Sequence, residues 1–411
     1  MIKNILIINQ PLFNRGDESA HRALVRRLNQ SFPNTKITVL WMLNKQEAID
    51  EFEVIHPNNT YVNLVLPHNY MSVFFAKIAM QKGFVKVAIN IHPVLQKIKK
   101  YYDCSDLILC APGGICMGGF QDWMHLFYLE IARICHKPLA YYSRSFGPFP
   151  TDTPQNRYFK KKSLCMLHYF GFLSIRDNET KKIAANLNVP YVPSIDSAFL
   201  ERPHVDLPKS LQIISKPYIV FVPNELRWHY AYKQFNQTQI DRFYLAIISR
   251  LQSKYPSHKI VMLPQTSTIN MKGDYYYFLH LRNCCEQLHN IEVIPDIFNS
   301  DVQQTIIQGA SLVIGARYHS IVFAINNAIP FIALNYEHKI AGLLEILNLQ
   351  HYQVDISQAF SSVQQQNKVL KKVDYLLNSN IQCDLYEKQT EACQIAENCF
   401  RLFVQYVGTL S

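Results

Sequence analysis

"LVIGARYHSIVFAINNAIPFIALNYEHK", residues 312 to 339, reads as a strand, a helix and a second strand. Leu312 to Gly315 is an apolar run of the length of a short buried strand. From about Ser320, the residues Ile321, Val322, Ala324, Ile325 and Ala328 form one apolar face at helical spacing, and "PFIALNY" is the next apolar run. A strand–helix–strand unit implies a parallel sheet, and parallel sheets bind ligands beyond the carboxyl ends of their strands. Arg317 and His319 stand at such an end, between strand and helix. A guanidinium forks onto carboxylate or phosphate, and an imidazole passes a proton near neutral pH. A solvated turn would explain the pair equally, so the rest of the chain has to decide.

The same alternation extends in both directions. Towards the amino end stand "NILIIN", a helix from Glu18 to Phe32, "KITVLWM", "YVNLVLP", "DLILCAP", a helix from Trp123 to Cys135 and "PLAYYSRS". Nearer to the opening stretch are "PYIVFVP", a helix from Gln237 to Tyr255, "KIVMLPQ" and "IEVIPD". This rhythm predicts an α/β fold of two Rossmann-like domains facing across a cleft, each a parallel sheet flanked by helices. A chain of 411 residues is also too long for one ordinary core. The expected domains are an N-terminal one at 1–190 and a C-terminal one at 211–384, with 191–210 as a proline-rich linker. The segment 385–411 reads as a helix whose candidate partner is the first domain.

Composition narrows the function classes. With 48% hydrophobic and 18% charged residues the chain is an ordinary globular protein rather than a disordered one. The formal net charge of +10 is spread along the chain without an arginine-rich arm or zinc-finger spacing, so no nucleic acid is expected as partner. Anionic small molecules or an anionic membrane surface suit that charge. The ten cysteines include no C-x-x-C pair and lie mostly in apolar segments. They are expected to be reduced, mostly buried thiols in a cytoplasmic protein, with no metal. Ile5 to Ile8 is too short an apolar run for a signal peptide, and none approaches the ~20 residues of a membrane span.

Further strand ends carry polar groups. "NRGDE" places Asn14, Gly16 and Asp17 before a helix whose amides could face a ligand, with Asp17 as a plain cap in the simpler reading. "APGG" places Gly113 and Gly114 where a ligand could approach backbone closely. Arg144 and Arg176 end two more strands, and Asp177 could cap the next helix and orient Arg176. Asn224, Glu225 and Gln265 end strands of the second half, Asp274 and Asp296 read as helix caps, and Lys339 adds a cation near Arg317.

Taken in order, "N-R-G-D-E", "P-G-G", "F-G-P-F", "S-I-R-D-N-E-T", "D-S-A-F", "P-Q", "G-A-R-Y-H-S-I-V-F-A" and "Y-E-H-K" resemble the polysaccharide pyruvyl transferase family over roughly four-fifths of the chain. The resemblance implies a GT-B-like fold. It implies transfer of the enolpyruvyl-derived group of phosphoenolpyruvate to two hydroxyls of a sugar, giving a pyruvate ketal and phosphate. It places donor binding on Arg317 and His319 of the second domain, with Arg176 as a further donor contact, and the acceptor on the first domain; Tyr336 and Lys339 are read beside that donor site, and Asp196 among the pocket residues. Phosphoenolpyruvate would be a substrate, with no cofactor, and the acceptor a lipid-linked or nucleotide-linked sugar. Phe13, where the family often has glycine, and Arg144, where a glutamine-type residue is common, depart from the pattern. Two other functions share these features: a GT-B glycosyltransferase using a nucleotide sugar, and a non-catalytic anion- or sugar-binding protein.

Overall fold

The structure, a computed structural model, describes residues 2–11, 14–41, 53–66, 69–211, 214, 217–266, 273–284, 290–379 and 385–410. Phe13 therefore lies outside the described residues. The chain divides into two compact units: unit 1 is Met1–Leu12, Asp17–Leu200 and Gln394–Ser411, and unit 2 is Phe13–Gly16 and Glu201–Cys393.

Unit 1 is built on a seven-stranded sheet of β1 (Asn4–Ile8), β2 (Lys36–Trp41), β3 (Asn59–Asn63), β4 (Leu107–Cys110), β5 (Leu139–Tyr141), β6 (Phe172–Ile175) and β7 (Val192–Pro193). Its order is β3-β2-β1-β4-β5-β6-β7, with every pairing parallel. The runs "ILII" and "LILC" are apolar without alternation because both sheet faces are covered, and every one of those residues is buried.

The carboxyl-terminal residues complete this unit. The rings of Phe403 and Phe172 stand 5.3 Å apart edge to face, and Phe403 meets Tyr142 at 5.4 Å. Gly171 is a close approach: a Cβ there would lie 2.3 Å from the Tyr406 hydroxyl. Truncating the fully buried Phe403 to alanine should cost about 3–5 kcal/mol.

Unit 2 carries a six-stranded parallel sheet of β8 (Tyr218–Val222), β9 (Lys259–Met262), β10 (Ile291–Val293), β11 (Leu312–Gly315), β12 (Phe331–Asn335) and β13 (Gln353–Asp355). Its order is β10-β9-β8-β11-β12-β13, the same 3-2-1-4-5-6 pattern that unit 1 shows over its first six strands. In such a sheet the crevice opens where the order reverses, between β1 and β4 in unit 1 and between β8 and β11 in unit 2.

Several boundaries differ from the expectation. The first helix runs Arg15–Ser31, three residues earlier than Glu18, because the Asn14 Oδ1 accepts the Gly16 N–H at 2.9 Å and so starts the helix. The stretch 191–210 is structured at its start: Val192–Pro193 pairs with β6, and Ser197–Leu200 is a buried 3-10 turn. Turn-forming prolines here end a strand rather than loosen the chain. The thiols are not mostly buried either. All eight described cysteines are free, and only Cys110 and Cys399 are buried, because Cys116 stands in the loop after β4 and the other five fall on helix faces turned outward or at helix ends.

Candidate functional site

At the carboxyl edge of the unit 2 sheet a cavity of about 980 Å³ is lined by residues that include Asn14, Glu225, Trp228, Thr266, Asp274 and Arg317. It sits at the switch point, since Glu225 and Trp228 follow β8 and Arg317 follows β11. Arg317 precedes the helix Tyr318–Asn326, the helix read from residues 312–339. Gly315 allows the turn: a Cβ there would stand 1.9 Å from the Ser320 Oγ, which donates to the Arg317 carbonyl at 2.6 Å.

The Arg317 side chain is held on two sides. Its Nη2 donates to the Asp274 Oδ1, and its guanidinium carbon lies 5.9 Å from the Trp228 ring centre. Asp274 is aimed by backbone, since its Oδ2 accepts the N–H groups of Gln265 and Thr266 at 3.0 Å each. Trp228 is aimed in turn by Asn224, whose Oδ1 accepts the indole N–H at 3.0 Å and the Leu226 N–H at 3.2 Å. Burial works against the charge on Arg317, but Asp274 and Tyr336 outweigh it and hold the group above its ordinary pKa. Arg317 is thus a fixed cation in a wall that opens on the cavity.

The strand ends of this sheet edge carry buried polar atoms with no hydrogen-bond partner among the described residues: Asn224 Nδ2, both amide atoms of Gln265, Thr266 Oγ1 and Arg317 Nε, of which Thr266 and Arg317 belong to the cavity wall. Native proteins leave few buried polar groups unpaired, so a cluster at one sheet edge marks a place for a polar ligand.

The other residues read from the sequence are distributed as follows. His319 is buried, and its ring lies against the Gly16 Cα so closely that a Cβ on Gly16 would fall 1.8 Å from the His319 Cγ. It is not among the cavity-lining residues. Tyr336 is buried, donates its hydroxyl to Glu337 at 3.0 Å, and is held well above its ordinary pKa by burial and then by that carboxylate. Lys339 pairs with the same Glu337 at 3.4 Å. Asp274 does not cap its helix as read: Gly273 is the cap, and the carboxylate serves Arg317 instead.

In unit 1 the predicted pocket residues hold one another. Arg144 is fully buried and donates to the carbonyls of Ala111 at 2.8 Å, Asn9 at 3.1 Å and Gly114 at 3.1 Å, and to the Cys116 Sγ at 2.9 Å. Those bonds make it the staple of the Gly113–Gly114 turn rather than an open anion clamp. Gly113 has a φ of 156°, and a Cβ there would touch Pro11 at 2.7 Å. Arg176 pairs with the buried Asp196, so Asp177 does not orient it; Asp177 caps the helix Asn178–Asn186 through the Thr180 N–H at 2.8 Å. Asp17 is buried in the first turn of its helix, where a negative charge suits the helix dipole.

The sequence pattern of the polysaccharide pyruvyl transferase family matches residues 14–338 of the chain. The chain belongs to that family. Among curated relatives of this pyruvyl transferase family member is the amylovoran biosynthesis protein AmsJ of Erwinia amylovora, 22% identical over 378 residues, covering 86% of this chain and 88% of AmsJ. Among solved structures it resembles the UDP-GlcNAc 2-epimerase of Neisseria meningitidis bound to UDP-GlcNAc, with a TM-score of 0.58 at 10% identity over 99% of this chain and 100% of that one. The UDP-GlcNAc 2-epimerase of Methanocaldococcus jannaschii gives 0.58 at 11% identity over 98% and 99%. The trehalose-6-phosphate synthase OtsA gives 0.54 at 12% identity over 99% and 99%. At these identities the likeness is one of fold, the two Rossmann-like domains of the GT-B group.

For this family member, sequence reading missed much of the cavity wall. Trp228 and Thr266 gave the only local signal, by following strand ends. His280 and Asp241 gave none. The His280 Nε2 stands 2.7 Å from the Asp241 Oδ2, whose other oxygen accepts from Tyr277 at 3.0 Å and Gln237 at 2.8 Å. His280, Tyr277 and Gln237 all line the cavity, and they lie on two helices whose contact no local pattern reveals.

Proposed function

We propose that this chain transfers the enolpyruvyl-derived group of phosphoenolpyruvate to two hydroxyls of one sugar in a polysaccharide or lipid-linked glycan precursor. The carrying observation is the group of buried, unpartnered polar atoms around Arg317 at the unit 2 switch point. Phosphoenolpyruvate bears a carboxylate and a phosphate on a three-carbon frame, and so needs a guanidinium and several neutral donors converging on a small volume. Arg317 and Thr266 on the cavity wall, with Gln265 and Asn224 at the neighbouring strand ends, are the residues to supply that set. Membership of the pyruvyl transferase family and the likeness to a protein of polysaccharide biosynthesis support the reaction class.

The chemistry balances as follows. A proton adds to the vinyl CH2 and positive charge develops at C2. The first sugar hydroxyl attacks C2, the C2–O bond to phosphate breaks, and the second hydroxyl closes the ring. One hydroxyl proton makes good the proton given to the methyl, and the other leaves with phosphate. His319, two residues beyond Arg317, is the candidate proton donor, with Lys339 near the departing phosphate. His280, oriented by Asp241, is the second imidazole to be tested.

The deciding assay is phosphate release from phosphoenolpyruvate against nucleotide release from UDP-sugars, each with a panel of sugar acceptors. Phosphate release that depends on the acceptor, with a pyruvylated product of the expected mass, supports the proposal. Turnover of a UDP-sugar alone would replace it with glycosyl transfer or epimerisation, the chemistry named for the structural neighbours. Turnover of neither donor leaves a binding protein.

A further inference from the structure

Unit 1 has an outer face that its own core does not account for. The helices Tyr70–Lys82 and Val85–Ile91 bury Ala76, Ala79, Met80, Val85, Ala88 and Ile89 against the helix Trp123–Ile134. Their opposite side is apolar as well: Tyr70 is 80% exposed, Met71 69%, Phe74 49% and Ile91 71%. An amphipathic surface helix normally turns polar residues to water on that side.

These residues form one patch. The Tyr70 and Phe74 rings stack 6.2 Å apart. Phe75 and His92 meet at 6.1 Å, which brings the end of the second helix, with Ile91, beside the middle of the first. The Lys77 Nζ donates to the Gln155 Oε1 at 2.8 Å, and the Gln155 Nε2 donates to the Gln121 Oε1 at 2.9 Å.

Along the two helices of the patch the charge has one sign, that of Lys77, Lys82 and Lys86. From Val54 to Tyr102 the sequence contains no aspartate or glutamate but six lysines. Lys82, Lys86, Lys97 and Lys100 make no ion pair among the described residues. Protein–protein interfaces are depleted in lysine, whereas bilayer-surface elements combine exposed aromatic and aliphatic groups with lysine. Among the described residues no helix is long and apolar enough to cross a membrane.

We propose that this face of unit 1 docks on the surface of an anionic lipid bilayer. Tyr70, Met71, Phe74 and Ile91 sit at the boundary of headgroups and acyl chains, with the lysines over the anionic headgroups. The inference stands on unit 1 alone and does not depend on the reaction assigned to unit 2.

The test is co-sedimentation of the full chain with phosphatidylcholine vesicles, with or without phosphatidylglycerol, at low and high salt. The expected result is pelleting only with the anionic vesicles, reduced by salt. Each lysine near such a surface contributes roughly fivefold to partitioning, so Lys82→Glu with Lys86→Glu should lower it by roughly 25-fold or more. Met71→Ser with Phe74→Ser should also release the protein, while circular dichroism reports an unchanged fold. Absence of pelleting, equal pelleting with neutral vesicles, or indifference to salt overturns the proposal, the last two pointing to a protein-type apolar contact. Variants that pellet like the parent chain overturn it as well, and should a variant fail to fold, the lipid and salt comparison on the parent chain decides.

Discussion

Replacing Asp274 by asparagine tests the anchoring of Arg317. The Asp274 Oδ2 accepts two backbone N–H groups at 3.0 Å each, so an asparagine must keep its carbonyl there. Its NH2 group then faces the Arg317 Nη2, donor against donor, where the carboxylate had accepted. The Asp274 side chain is 3% exposed and that of Arg317 16%. Removing one partner of a fully buried pair costs about 3–5 kcal/mol. Because Arg317 opens on the cavity and water can reach it, about 2–3 kcal/mol is expected. For a unit of this size that lowers Tm by about 4–12 °C. Inorganic phosphate should restore part of the loss, since it replaces the missing anion, and should stabilise the variant more than the parent. The assay is thermal melting followed by circular dichroism, with and without phosphate in a weakly coordinating buffer. Equal melting of the two proteins, or an equal phosphate shift in both, would refute the view of Arg317 as a cation held ready for an anion.

Arg317→Lys keeps the charge but loses the fork, so the KM for phosphoenolpyruvate should rise roughly tenfold, about 1.4 kcal/mol, in steady-state kinetics; an unchanged KM removes Arg317 from the donor site. The two imidazoles separate by rate: the true proton donor should lose about 10²- to 10⁴-fold in kcat as His319→Ala or His280→Asn, while the other substitution leaves kcat within a few fold. Gly16→Ala should displace the His319 ring, at an overpacking cost of about 1–3 kcal/mol in denaturant unfolding; a neutral result would contradict the close approach. Stability should fall in acid. Burial, then Arg22, lowers the pKa of His21 from 6.5 to about 3, and burial lowers that of His125 well below its ordinary value. Between pH 6.5 and 3 the unfolded chain binds protons that the folded chain excludes. His21 should then cost about 1.4 kcal/mol per pH unit as pH falls through that window, and His125 adds a loss of the same sign below pH 6.5. Denaturation midpoints at pH 7 and 5.5 measure the slope, and His21→Gln should reduce it.

The fold was legible because parallel strands covered on both faces leave uninterrupted apolar runs, and the helices between them keep a 3.6-residue period. Arg317 was legible because a charged residue ending such a run stands at the sheet edge where ligands bind. Arg144 looked the same in sequence but is wrapped in carbonyls, since nothing local says which strand-end arginine faces a turn and which an opening. Asp274 was hidden by a common role: an acid at the start of a helix is usually its cap, and only the meeting of the segments after β9 and β11 at one sheet edge gives it Arg317. The Asp241–His280 pair was hidden altogether, being made by residues 39 positions apart on separate helices.

Phe403 and Tyr406 close over β6 from a segment that the ribosome makes only after all of unit 2. During synthesis the edge formed by Tyr142, Phe172 and Gly171 therefore emerges more than two hundred residues before its cover. Until then that aromatic surface is bare to water and sticky toward other nascent chains. Unit 2 has no such wait beyond its own length. The protein is thus assembled out of sequence order, with the unit that begins first finishing last.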